Sequence, residues 1–149
     1  KSIQSIIDEL SIYKKYNRIS YKQGIKKIQM FSLLISDLEK DDIYDWKQYY
    51  ENAKLYLKNS VNDFQSISYS VPEESYSDSL KYNKNSPSKI QTEIGQLTKK
   101  LYLNGNHLLI NISEKLNQKY EKDINMYHSP VINHNVSESN SFTNNYDLF

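Results

Sequence analysis

From residue 43 to residue 67 an apolar side chain returns every three or four positions. Ile43, Trp46, Tyr50, Ala53, Leu57, Ser60, Phe64 and Ile67 follow one another at steps of 3, 4, 3, 4, 3, 4 and 3, and Ser60 is the one polar member. Alternating threes and fours is the seam of a heptad-patterned α-helix, whereas a half-buried strand would alternate every second residue. No Pro or Gly interrupts the run, and Asp41 or Asp42 is placed to accept from the free amides at its start. A helix over 42–67 would be roughly 39 Å long. It cannot bury its own stripe, so the pattern predicts partners within the chain or on another chain.

The flanking segments offer such partners. Ile3, Ile6, Ile7, Leu10 and Tyr13 keep helical spacing over 2–17, and Ile25, Ile28, Phe31, Leu34, Ile35 and Leu38 keep it in the next segment. Ser20 followed by Gln23 has the pattern of a capping box, which places a break or bend at residues 17–20. One helix from about 2 to 40 is the alternative, since Asn17, Arg18 and Gly24 weaken helix without forbidding it. Residues 30–35 are the most apolar window and belong to the core. Glu39, Lys40, Asp41 and Asp42 then separate this segment from the seam helix.

Beyond residue 66 the chain turns Ser-rich, and Pro72 ends the seam helix by removing an amide and biasing Val71 away from helix. Ser86 before Pro87 reads as a new helix start, with Ile90, Ile94, Leu97, Leu101, Leu108, Ile112 and Leu116 as its stripe. Asn104-Gly105 lies in the gap and is also a hairpin signal, with Leu101, Leu103, Leu108, Ile110 and Ile112 alternating around it. The helical phase persists across the gap, which favours helix, and Gly105 would let another backbone approach closely. An unbroken helix over 88–127 would be about 60 Å long, so an elongated shape or a kink at Gly105 is expected. After Pro130 the chain is Asn- and Ser-rich with small apolar islands that cannot build a core. The expectation is an all-α fold: an elongated bundle of antiparallel, coiled-coil-like helices over 1–127 with a Ser-rich loop at 68–87, then an irregular tail over 128–149.

Composition narrows the chemistry. Nineteen basic residues face 18 acidic ones, a net charge of +1 that names no partner. Arg18 is the lone Arg, and Arg is the side chain suited to bidentate phosphate contacts and to reading guanine, so a nucleic-acid partner is disfavoured. There is no Cys, which excludes disulfides, thiol catalysis and Cys-based zinc sites. No Gly-x-Ser-x-Gly elbow is present, and Gly24, Gly95 and Gly105 are too isolated for a phosphate-binding loop or a dinucleotide fingerprint. His107, His128 and His134 lack the spacing of a metal site. Glu39, Asp41, Asp42 and Asp45 lack calcium-loop spacing and fit helix capping better. Neither an enzyme nor a cofactor or metal is expected. The Asn-x-Ser sequences at Asn111 and Asn135 match glycosylation acceptors, as chance allows in so Asn- and Ser-rich a chain, and Ser86 and Ser129 precede Pro as phosphorylation candidates.

Position 1 is Lys, so the chain reads as a fragment or a processed form. No run of about 18 apolar residues and no signal-peptide pattern is present, and an intracellular, cytoplasmic or membrane-peripheral location is expected. Tyr is abundant at 14 residues and suits half-buried surfaces and interfaces. Trp46, Tyr49, Tyr50 and Tyr56 are the candidate contact surface for another protein or a second copy, because so short a chain cannot cover every seam position. Tyr146, Leu148 and Phe149 form a candidate linear peptide in the tail. Lys14, Lys15, Lys22, Lys26 and Lys27, interleaved with Tyr13 and Tyr16, make a second candidate surface for anions or lipid headgroups. Long amphipathic helices split by a Ser-rich loop resemble, in outline, BAR-type membrane-bending scaffolds; no residue motif carries the likeness. That resemblance implies the second reading, a membrane-surface module. The leading reading is a non-enzymatic interaction or scaffold module.

Overall fold

A computed structural model of the chain describes residues 2–40, 43–72 and 88–121. Through these run four helices: α1 (Ile3–Leu10), α2 (Arg18–Leu38), α3 (Trp46–Tyr69) and α4 (Lys89–Leu116). A 3-10 turn, Ser11–Tyr16, joins α1 to α2, and a π-turn, Asn117–Glu121, follows α4. The molecule is an all-α bundle, and no strand occurs among the described residues. The tail over 128–149, residues 122–127 before it and residues 73–87 of the Ser-rich loop lie outside them.

Each helix starts where a short polar side chain can reach a free amide. Ser2 accepts from the Ser5 amide at the head of α1. The predicted break is present, but Asn17 caps α2, not Ser20. The backbone of Asn17 is extended, so its Oδ1 reaches the Ser20 amide at 3.1 Å and Ser20 falls in the first turn. Asp45 caps α3, rather than Asp41 or Asp42, and leaves Ile43 half-buried ahead of the helix. Helix α3 ends at Ser70, just before Pro72. Ser88, not Ser86, opens α4, because Gln91 three residues on completes the capping box. The Gln91 Nε2 also donates to the Ser68 carbonyl at 3.0 Å, tying the head of α4 to the end of α3.

Helix α3 is the centre of the bundle and packs along both α2 and α4. Trp46, Tyr50, Ala53, Leu57, Ser60, Phe64 and Ile67 are all buried. Two glycines open slots for the larger of these side chains. A Cβ on Gly24 of α2 would stand 2.8 Å from the Phe64 ring, and one on Gly105 of α4 would stand 2.5 Å from Leu57 Cδ1. Between the two, Ser60 Oγ donates to the Gly24 carbonyl at 2.9 Å, so the one polar seam position holds α2 against α3. Close helix approach at small residues follows from side-chain ridges entering the facing grooves.

Residues 101–112 are helical, as the phase argument favours, with two differences. Gly105 receives the Leu57 side chain rather than another backbone. The buried line runs Leu101, Gly105, Leu109, Ile112, Leu116, so Leu109 takes the place assigned to Leu108, which is 38% exposed. Steps of 4, 4, 3 and 4 keep the stripe facing α3, whereas the step of 7 to Leu108 lands at its edge. Helix α4 passes through Gly105 without interruption and spans roughly 42 Å, and residues 122–127 of the rod expected over 88–127 lie outside the described residues.

The 3-10 turn folds α1 back so that it packs on α4 and closes the core with Ile6, Ile7 and Leu10. Tyr13 Oη donates to Glu93 Oε2 at 2.6 Å, which pins the turn to the first turns of α4. At the opposite end the π-turn lays Tyr120 flat on Trp46, with ring centroids 5.4 Å apart and planes 11° from parallel. Tyr120 Oη donates to the Ile43 carbonyl at 3.2 Å, so one side chain seals the start of α3.

Candidate interaction surface

The aromatic candidates divide by burial. Trp46 and Tyr50 are core residues rather than a contact surface. Trp46 is covered by Tyr120, and Tyr50 is fully buried where α3 meets α4. Burial pushes the Tyr50 phenol well above its ordinary range, while the Ser113 hydroxyl acts in the opposite sense. Tyr56 is half-buried against the core, and Tyr49 is the one member left exposed. The seam does not exceed what the chain can cover, because α2, α4 and the π-turn together cover it. Tyr146, Leu148 and Phe149 lie outside the described residues.

The basic candidates fare differently. Lys14, Lys15, Lys22 and Lys26 are exposed, and Arg18 joins them. Lys27 is half-buried and pairs with Asp63 of α3, so it clamps two helices together and does not belong to the free surface. The interleaved tyrosines also face inward. Tyr13 is held by Glu93, and Tyr21 meets the Phe64 ring edge-on at 5.8 Å. Tyr16 packs against the core with Lys15 over its ring.

What sequence reasoning misses is the company these cations keep. Ile19 and Leu33 are 71% and 55% exposed on α2, and Ile12 is 64% exposed on the preceding turn. At about 100° per residue, Ile19, Lys22, Lys26 and Leu33 fall within roughly 60° of arc on the side opposite the core. Residues 10–36 contain six basic side chains and no Asp or Glu, and Asp37, one turn beyond Leu33 on the same arc, is paired with Lys40 at 3.3 Å. The signal is legible: Ile19 and Leu33 stand two heptads apart and out of phase with the Ile28, Phe31 and Ile35 stripe.

Other surfaces are weaker candidates. Helix α4 exposes Leu103 and Ile110 one heptad apart, but Glu114 accompanies them. A recess of about 380 Å³ lies where the ends of α2 and α4 meet, lined by Leu38, Ile112 and Leu116 together with Glu39, Lys40, Lys115 and Lys119. A second, of about 250 Å³, lies between α3 and α4 around Thr98 and Tyr102. Among the described residues no group of three or more His, Cys, Asp or Glu is arranged to hold a metal ion, and no helix is long and apolar enough to cross a membrane. The surface of α2 can act by area and charge. Comparison with protein families, with curated proteins and with solved structures finds no match to this chain.

Proposed function

We propose that this chain is a non-enzymatic helical docking module that holds a macromolecular partner on the outer face of α2. One observation carries the reading: with the core complete, Ile19 and Leu33 remain exposed on the same face as Lys22 and Lys26. Scattered exposed apolar residues are ordinary, but aliphatics aligned with a row of cations form a two-part recognition surface. The tight Leu57–Gly105 and Phe64–Gly24 fits give that face a firm support. The interaction role expected from the heptad seam is thereby moved from α3, whose seam is engaged inside the bundle, to the exposed side of α2.

A photo-crosslinking residue at position 19, compared with one at exposed position 96 of α4, tests the reading in extracts of the source cell. Adducts formed from position 19 and lost on Leu33→Glu are expected. Equal labelling from both positions, or labelling indifferent to Leu33→Glu, refutes a docking role for this face.

A further inference from the structure

We infer that the outer face of α2 docks on the anionic surface of a lipid bilayer, with the helix axis lying along the membrane plane. The inference rests on the reading above that this face is where the partner is held, and it names that partner.

Charge comes first. Arg18, Lys22 and Lys26 are exposed along α2 and Lys15 stands at its head, while Asp37, the carboxylate at the far end of the same arc, is paired with Lys40 at 3.3 Å. Lys27 of this stretch pairs with Asp63 and is turned away from the face. A chain of net charge +1 therefore gathers four basic side chains along the start and middle of this face. Each basic side chain held near an anionic leaflet adds roughly fivefold to partitioning, within a Debye length of about 10 Å at 0.1 M salt.

The aliphatics come second. Ile19 and Leu33 project from the same arc as the lysines. Beside a bilayer they would enter the headgroup–acyl boundary, while the lysine stems lie along it and lift their ammonium groups to the phosphates. Single point charges strung along a helix of roughly 31 Å suit a diffuse layer of charge, and no fork of clustered arginines selects one headgroup. A nucleic acid fits less well. Its phosphates have no use for Ile19 and Leu33, and Tyr13 and Tyr21, the aromatics that would stack bases, are engaged inside the fold. An acidic protein is the other candidate occupant. The two recesses described above, where its side chains could seat, lie elsewhere, and the adduct outcome below tests it.

Sedimentation of the full chain with vesicles decides the matter. The vesicles are phosphatidylcholine alone, or phosphatidylcholine with one third phosphatidylserine, at about 0.1 M salt and at several times that. Binding to the anionic vesicles only, released by the higher salt, is expected. Lys22→Glu with Lys26→Glu should weaken it by more than roughly twentyfold, since two basic contacts are lost and two repulsions added. Ile19→Glu should weaken it too, and Leu103→Glu on α4 should leave it unchanged. All four positions are exposed, so the fold is retained, and an unchanged Trp46 emission spectrum checks that. Equal binding to neutral vesicles, indifference to the lysine reversals, or equal loss in Leu103→Glu overturns the inference. No vesicle binding, together with a protein or RNA adduct from position 19 that Leu33→Glu abolishes, overturns the lipid assignment and leaves the docking face standing. No vesicle binding and no such adduct removes both.

Discussion

Leu57 of α3 fills the slot that Gly105 of α4 leaves open, with two of its carbon atoms 2.5 and 2.6 Å from where a Cβ would stand. Leu57 is fully buried, so its side chain must shift against its core neighbours to admit a Cβ. Gly105→Ala therefore sets two effects against each other. Helix propensity gains about 1 kcal/mol, while overpacking a dense core costs typically about 1–3 kcal/mol. Net destabilisation of about 1 kcal/mol is expected in urea denaturation. In a Leu57→Ala background the sign should reverse, because the obstruction is gone. Gly95→Ala is the control: nothing stands within 4 Å of its Cβ, so it should stabilise by up to about 1 kcal/mol. Equal effects at both glycines would show that Leu57 does not occupy the Gly105 slot.

Ser60 gives the second prediction, and here the pattern and the structure disagree about sign. On the heptad pattern Ser60→Leu perfects the seam. In the bundle the hydroxyl is fully buried and bonded to the Gly24 carbonyl, at a place where two backbones lie close. Ser60→Ala should cost about 1 kcal/mol for the lost hydrogen bond. Ser60→Leu should cost more, by an additional overpacking penalty of about 1–3 kcal/mol. If Ser60→Leu proved more stable than wild type in chemical denaturation, the close α2–α3 approach would be refuted.

These two sites show what is legible in the residues and what is not. The α3 seam can be read because both faces of its stripe are covered, so the inward period persists from Trp46 to Ile67. Gly24 leaves no apolar mark in the pattern, and Gly105, read as a point of close approach, shows its occupant only in the Leu57 side chain that enters it. Leu108 stands in for Leu109 because the phase, carried across a seven-residue gap at Asn104-Gly105, leaves two adjacent leucines to choose between. Trp46 looks like a surplus apolar residue because Tyr120, its cover, sits in a π-turn that no periodicity announces. The cations of α2 stand out from composition, whereas Ile19 and Leu33 escape because a search for stripes looks inward.

The third prediction concerns alkaline pH. The bond to Glu93, then burial and the nearby negative charge, push the Tyr13 phenol up from 10.0 to about 12. A raised value means that the folded state favours the protonated phenol. Its contribution is thus fully present below pH 10, where the unfolded chain also keeps the proton, and is lost as pH climbs from 10 to 12. Tyr21 and Tyr50 are shifted in the same direction by burial, so total stability falls across that window in any variant retaining them. The difference between wild type and Tyr13→Phe isolates the bond. Wild type should be the more stable at about pH 9, and the gap should narrow steadily toward pH 12. A constant gap would mean that the Tyr13–Glu93 bond does not form in solution.

The fourth prediction uses the fact that Trp46 is the chain's single Trp. It is 8% exposed, and a large part of its cover is the ring of Tyr120, with Lys47 and Lys119 above the two rings. Stacked aromatics contribute about 0.5–1.5 kcal/mol beyond the area they bury, and the Tyr120 hydroxyl adds a bond to the Ile43 carbonyl. Tyr120→Ala should therefore shift Trp46 emission to longer wavelength, increase its quenching by acrylamide and lower stability by about 1–2 kcal/mol. Tyr120→Phe keeps the stack and loses only the bond, so its spectrum should match wild type at a small loss of stability. The two variants separate shielding by the ring from anchoring by the hydroxyl. If Tyr120→Ala leaves quenching unchanged, Trp46 is protected by something other than the π-turn, and the closed end of the bundle is wrongly drawn.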